Sequence, residues 1–395
     1  MTTSPYDAYR PPDGDRRRKR RRGGGRRGGR GGRGWMNRGA DGGREMPMVE
    51  DVEFTSYYGR PIVKAPPWGD EIGAYLFLGG LAGGSALLGL GGQLTDRPAL
   101  RRNTRLTSLV ALGAGTLALV EDLGRPERFL NMMRTVKITS PMSLGSWILG
   151  GFGSGAGVVA VLEVDRLTGE RIPLGPLEPL RRVLEAVETP LALTSVLFAT
   201  PLASYTGVLL GATAVPTWNA AGRNGLPVVF AASACVAAGG TAMVTTPVAQ
   251  AGPARLFALA GTAAELVAMK AMKDRMHPVE VEPMETGEPG RKLHRAEVLT
   301  IAGGVATAAL EVGVRLLDRK GRGGAGRTAL RVGLQVASAA AGAALAAASA
   351  YTRFGMLEAG IESTKDPRHV VEPQRDRLAA RQAAGITHDS ITTIG

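Results

Sequence analysis

Apolar and charged positions are sorted into blocks along this chain. From Ile72 to Tyr351, long stretches with almost no charge alternate with short connections rich in Arg, Lys, Asp and Glu. About 20 apolar residues wound as a helix cross the hydrocarbon core of a bilayer. The blocks therefore predict an all-α integral membrane protein with about eight transmembrane helices. They are Ile72–Leu94, Thr104–Val120, Leu144–Val164, Pro190–Ala212, Leu226–Val248, Ala254–Met272, Ala296–Leu316 and Ala329–Tyr351. The second is the shortest, and the sixth is interrupted by Glu265. The sequence then divides into a tail at 1–50, a pre-membrane segment at 51–71, a membrane domain at 72–351 and a C-terminal extramembrane tail at 352–395.

Composition refines this picture at the ends. The 395 residues carry a net charge of +13, and 44% of them are hydrophobic. Mean hydropathy is close to zero, but that average mixes charged ends with uncharged spans. Between Arg16 and Arg33 the sequence is almost wholly Arg, Lys and Gly. Such a run buries no core and is expected to be disordered. Its charge suits a topology signal or anionic headgroups; an RNA-binding tail is the less favoured alternative. No apolar segment follows the basic run closely, so no cleavable signal peptide is expected. Cys235 is the single cysteine, which rules out an internal disulfide or a cluster ligand set. The four histidines all fall outside the apolar spans, where axial ligands of a membrane haem would sit. The protein is therefore expected to hold no haem, no iron–sulfur cluster and no metal site of its own.

An even number of crossings returns both termini to one side of the membrane. Several polar motifs then converge on that side. Trp68, Glu71 and Tyr75 open the first span; Asp122, Arg125 and Arg128 close the second; Pro141, Ser143 and Trp147 open the third; Tyr205 lies late in the fourth. Ionisable groups at membrane depth are costly and mark functional sites. A quinone head group needs hydrogen-bond donors for two carbonyls, an apolar slot and a proton source, which Tyr, Trp and carboxylic acids supply. Glu71, Tyr75, Asp122, Arg125, Trp147 and Tyr205 are the candidate quinone contacts. Bland alternatives stand beside them: an interfacial aromatic belt for Trp68 and Trp147, a headgroup-facing loop for Arg125, Arg128 and Arg134, and Glu71 or Asp122 pairing with those arginines. The glycines at 79, 80, 83 and 84, and at 151, 153, 155 and 157, are read as helix-packing positions.

The stretches Glu71–Gly84, Asp122–Phe129 and Ser140–Trp147, with Tyr205–Leu210, Pro216–Trp218 and Ser363–Pro367, resemble the polysulfide reductase/NrfD-type membrane subunit family. The resemblance implies eight spans in two four-helix bundles and a site for menaquinone or ubiquinone near one membrane face. It also implies an iron–sulfur (four-cluster ferredoxin-like) partner, a molybdopterin-type catalytic subunit and proton movement coupled to quinone chemistry. By this likeness the protein is the quinone-reactive anchor of an oxidoreductase of the formate dehydrogenase or sulfur-compound reductase type, and is not catalytic alone. In the family, quinone contacts include a histidine and an asparagine of the first span. Residues 68–94 here contain neither.

Glu163, Glu265 and Glu311 lie within or at the end of spans and are candidates for a proton relay. The alternative for Glu311 is a pair with Arg315 one turn later. Basic residues in the short loops are nearly balanced across the two sides. The basic tail decides the prediction in favour of cytoplasmic termini in the cell membrane. Two other readings remain, a secondary transporter and a purely structural anchor. A transporter predicts related halves with broken helices near mid-membrane, and no internal repeat is visible.

Overall fold

The computed structural model describes residues 61–123, 126–169, 178–319 and 325–386. Eight long helices occupy the eight predicted blocks: α1 (Asp70–Leu94), α2 (Pro98–Asp122), α3 (Pro141–Leu167), α5 (Glu188–Gly211), α7 (Leu226–Thr245), α8 (Gly252–Arg275), α10 (Gly287–Arg319) and α11 (Ala325–Ser363). Shorter pieces join them: a 3-10 segment, η1 (Pro126–Arg134), and helices α4 (Glu178–Ala186), α6 (Pro216–Asn224), α9 (Pro278–Glu285) and α12 (Arg368–Ala383). No strand occurs among the described residues.

Local chemistry sets the helix starts. Several helices, among them α2, α3 and α7, carry proline in their first two positions, where its fixed φ suits the helix and its missing N–H costs nothing. The Ser140 hydroxyl also accepts the Ser143 N–H at 3.4 Å and caps α3. Gly225, at φ +120°, makes the sharp join between α6 and α7 that a residue with a Cβ rarely adopts.

Six of the long helices, α1, α3, α5, α7, α10 and α11, are long and apolar enough to cross a membrane. The molecule is a multi-pass membrane protein. Length and composition thus mark six crossings where the residue blocks suggested eight. The reason is local charge. α2 carries Arg101, Arg102 and Arg105, and α8 carries Arg255, Glu265, Lys270, Lys273, Asp274 and Arg275. Arg105, Arg255 and Glu265 are buried against other helices.

α1 packs on α2, α5 and α7, and α3 packs on α5. In the second half α7 packs on α8 and α11, and α10 packs on α11 and α8. Small residues bring the backbones together. A Cβ at Gly83 of α1 would meet the Ala199 carbonyl of α5, and one at Gly155 of α3 the Leu191 carbonyl. In lipid this close approach replaces the hydrophobic drive that water provides. α11 runs unbroken past Tyr351 to Ser363, and Arg353 within it is fully buried. Outside the spans, α12 is tied to the α9 region by His277–Asp376 at 2.9 Å and by Arg368–Glu282 at 3.3 Å.

Candidate functional site

Neighbouring long helices of the first half run in alternate directions, so their ends form two polar layers. One layer gathers the start of α1, the end of α2, the start of α3 and the end of α5. There the hydroxyls of Tyr75 and Tyr205 are in hydrogen-bond contact, although the residues lie 130 positions apart. Tyr75 is 4% exposed. A cavity of about 320 Å³ opens beside this pair. Its walls are mostly apolar, from Leu112 and Leu119 of α2, Leu149 of α3, Leu209 of α5, and Phe129, Met132 and Met133 of η1. Gly145 makes the geometry possible, since a Cβ there would overlap the Tyr205 ring.

Asp122, at the end of α2, also borders the cavity. Burial raises its carboxyl pKa above the usual carboxylate value, and the nearby Glu71 charge raises it further. The site thus offers two phenolic hydroxyls and an acid that holds its proton to higher pH, in a mainly apolar slot. These are the groups needed to grip a flat ring with two carbonyl oxygens and to supply it with protons.

Of the six predicted contacts, three meet here: Tyr75, Asp122 and Tyr205. Glu71 is exposed at the start of α1 and acts on the cavity through its effect on Asp122. Trp147 is 39% exposed, and its indole N–H donates to the Thr135 carbonyl at 3.3 Å. It is outside the cavity lining. Arg125 lies outside the described residues, as does the side chain of Arg128. The structure adds lining residues that are not among the candidate contacts, namely the methionines of η1, Met142 and Gly145, and it brings in Trp68, which the sequence places at the start of the first span without making it a contact. Gly145 and Met142 lie inside the Ser140–Trp147 stretch, which carries them without revealing which way they face.

The opposite layer is an ion-pair network. Arg105 of α2 donates to Glu163 of α3 at 2.7 Å and to Glu188 of α5 at 2.5 Å, and to Gln93 of α1 at 2.5 Å. Arg101 lies 2.7 Å from Glu163, and Arg166 bonds Glu188 at 2.6 Å. Glu311 is similarly held, by Arg255 at 2.6 Å and by Arg315 at 2.8 Å. Glu265 differs. One of its oxygens accepts the Thr352 hydroxyl at 2.9 Å, and the other has no hydrogen-bond partner among the described residues. Glu265 borders a second cavity, of about 820 Å³, between α8, α9 and α10. Of the three predicted relay carboxylates, Glu163 and Glu311 are therefore paired with arginines and Glu265, among the described residues, is not. Among the described residues, no group of three His, Cys, Asp or Glu side chains is arranged to hold a metal ion.

Comparison with known proteins places the first cavity within a matched segment. The family described as Polysulphide reductase, NrfD matches residues 62–256, which include every residue lining that cavity. The protein is also similar to the C subunit of the polysulfide reductase of Wolinella succinogenes, with 27% identity over 151 residues. That alignment takes in 37% of the present sequence and 48% of the relative, so it spans about half of the relative's length.

Proposed function

Because residues 62–256 belong to the NrfD polysulphide reductase family, we propose that this protein is the quinone-reactive membrane subunit of a multi-subunit oxidoreductase. The observation that carries the reading is the Tyr75–Tyr205 hydroxyl pair beside Asp122 in an apolar cavity. The cavity fits a quinone ring by its volume, by its apolar walls and by its three polar groups. Menaquinone or ubiquinone bound there supplies two-electron, two-proton redox chemistry. Tyr75 and Tyr205 orient the ring, one hydroxyl proton holding the pair together and the other donating to a ring oxygen, and Asp122 holds a proton at its carboxyl oxygen near the cavity edge. Phe129 and the η1 methionines keep water out of the slot.

In this reading an iron–sulfur subunit docks on the same membrane face and exchanges electrons with the quinone. A molybdopterin-type subunit performs the substrate chemistry. All eight long helices cross the membrane as two four-helix bundles, because Arg105 of α2 and Arg255 and Glu265 of α8 are buried against other helices rather than shown to lipid, and the exposed charges of these two helices lie toward their ends. The termini lie in the cytoplasm of a bacterial-type cell membrane. Among the relay candidates, Glu163 and Glu311 are committed to arginines, which leaves Glu265 as the carboxyl placed to exchange protons with the second cavity. Glu265→Gln should slow proton uptake during quinone turnover; unchanged uptake removes Glu265 from the reading.

Purification from mild detergent tests the assignment as a whole. The expected result is a complex with iron–sulfur absorbance and one extractable quinone per copy of this subunit. A protein that purifies alone and binds no added quinone refutes it.

A further inference from the structure

Trp68 precedes α1 in a short stretch, Pro66-Pro67-Trp68-Gly69, and borders the first cavity. Two consecutive prolines stiffen the approach to it. Its indole is stacked on Trp218 of α6, with ring centroids 5.3 Å apart and planes inclined by 22°. Trp218 is fully buried, and its N–H donates to the Met356 carbonyl of α11 at 2.8 Å. Gly360, one turn on, leaves the indole its space, since a Cβ there would overlap it. Trp68 is thus held by a fixture of the second half of the molecule rather than by the short segment it belongs to. Trp68 also packs against the apolar cluster around Trp218, and part of its surface lines the cavity. Met132 and Met133 line the same cavity, with flexible side chains that adapt to what they touch.

We propose that Trp68 is the rigid stacking wall for the ring of the ligand, and that Trp218 is the residue that positions it. The inference rests on the quinone reading above and goes beyond it. It makes the first cavity selective for ring size, because a two-ring ligand overlaps the indole more than a one-ring ligand does. An interfacial belt role for Trp68 predicts no such selectivity.

The test uses the purified full-length protein in detergent. Tryptophan fluorescence is titrated with a soluble naphthoquinone and with a soluble benzoquinone, and Kd is read from the quenching. The wild type should quench saturably and prefer the two-ring compound. Trp68→Ala should weaken naphthoquinone binding by about two- to twelvefold, the range expected for one aromatic contact. It should weaken benzoquinone binding less, so the preference shrinks. Trp68→Phe should recover most of the loss. Trp218→Phe, which does not touch the cavity, should reproduce part of it. No saturable quenching in the wild type overturns the quinone reading and this inference together. Saturable wild-type binding with an unchanged preference in Trp68→Ala overturns this inference and leaves the quinone reading standing. An equal loss for both compounds also overturns it, since that marks general damage to the cavity. Trp218→Phe binding like wild type overturns the positioning role.

Discussion

Changing Tyr205 to Phe removes one oxygen and keeps the ring that fills the space beside Gly145. The Tyr75 hydroxyl, on a side chain only 4% exposed, then faces a phenyl group. A buried donor left without a partner costs about 1–3 kcal/mol. Tyr75→Phe should cost a similar amount from the other side. The double variant removes both hydroxyls and leaves nothing unpaired, and such paired replacements are close to neutral. With each single costing about 1–3 kcal/mol and the double close to neutral, the double-variant cycle should show a coupling of about 2–6 kcal/mol. Function should run the other way. The double variant lacks the hydroxyl pair and with it the proton that bonds a ring oxygen, so quinone-dependent turnover of the complex should fall by about ten- to a hundredfold. Unfolding in detergent by denaturant titration gives the stabilities, and a soluble-quinone assay gives the turnover. Additive destabilisation refutes the coupled pair. A double variant that keeps wild-type turnover refutes the role of the hydroxyls in the reaction.

Asp122 gives a pH-dependent expectation. Its raised pKa means that the folded protein holds this proton more tightly than the unfolded one. Stability from Asp122 is therefore full at low pH and is lost as pH rises through the raised value. Asp122→Asn should match wild type below the usual carboxylate pKa of about 4 and melt at or above it near neutral pH; a lower melting point at neutral pH contradicts this. Gly145→Ala drives a methyl group into the Tyr205 ring and should cost about 1–3 kcal/mol; an unchanged melting curve would show that the ring has room to move. Arg105→Met leaves Glu163 and Glu188 buried with only Arg101 and Arg166 beside them, and should cost about 3–5 kcal/mol in the same unfolding assay. A loss below about 1 kcal/mol would mean that the outer arginines replace it fully.

The blocks of apolar residues locate every long helix, because an uncharged run of that length has few other ways to satisfy its backbone in lipid. The alternation of helix direction is also enough to bring Tyr75, Asp122 and Tyr205 to one end. Rotation about the helix axis is not legible. Helices that are apolar on all sides carry no stripe that says which face turns inward. Trp147 therefore reads as well as Trp68 in the sequence, yet only Trp68 borders the cavity. Long-range partners are hidden for a related reason. The Glu311–Arg315 pair is visible at helical spacing, but Arg255 completes it from a different helix. Glu163 reads as free for proton transfer, whereas Arg105, 58 residues earlier, is folded against it.

The Arg105 network also bears on how the protein enters the membrane. A translocon judges each segment as it emerges, and an arginine weighs against release into lipid, by about 2.5–3.5 kcal/mol at a helix centre and by less toward the end where Arg105 lies. α2 presents its arginines before their counter-charges exist, because Glu163 and Glu188 are synthesised 58 and 83 residues after Arg105. During that interval α2 is a poor resident of lipid on its own account. On the proposed eight-crossing reading it becomes a stable one when α3 and α5 arrive with their carboxylates, so that insertion and assembly of this half of the molecule are a single event.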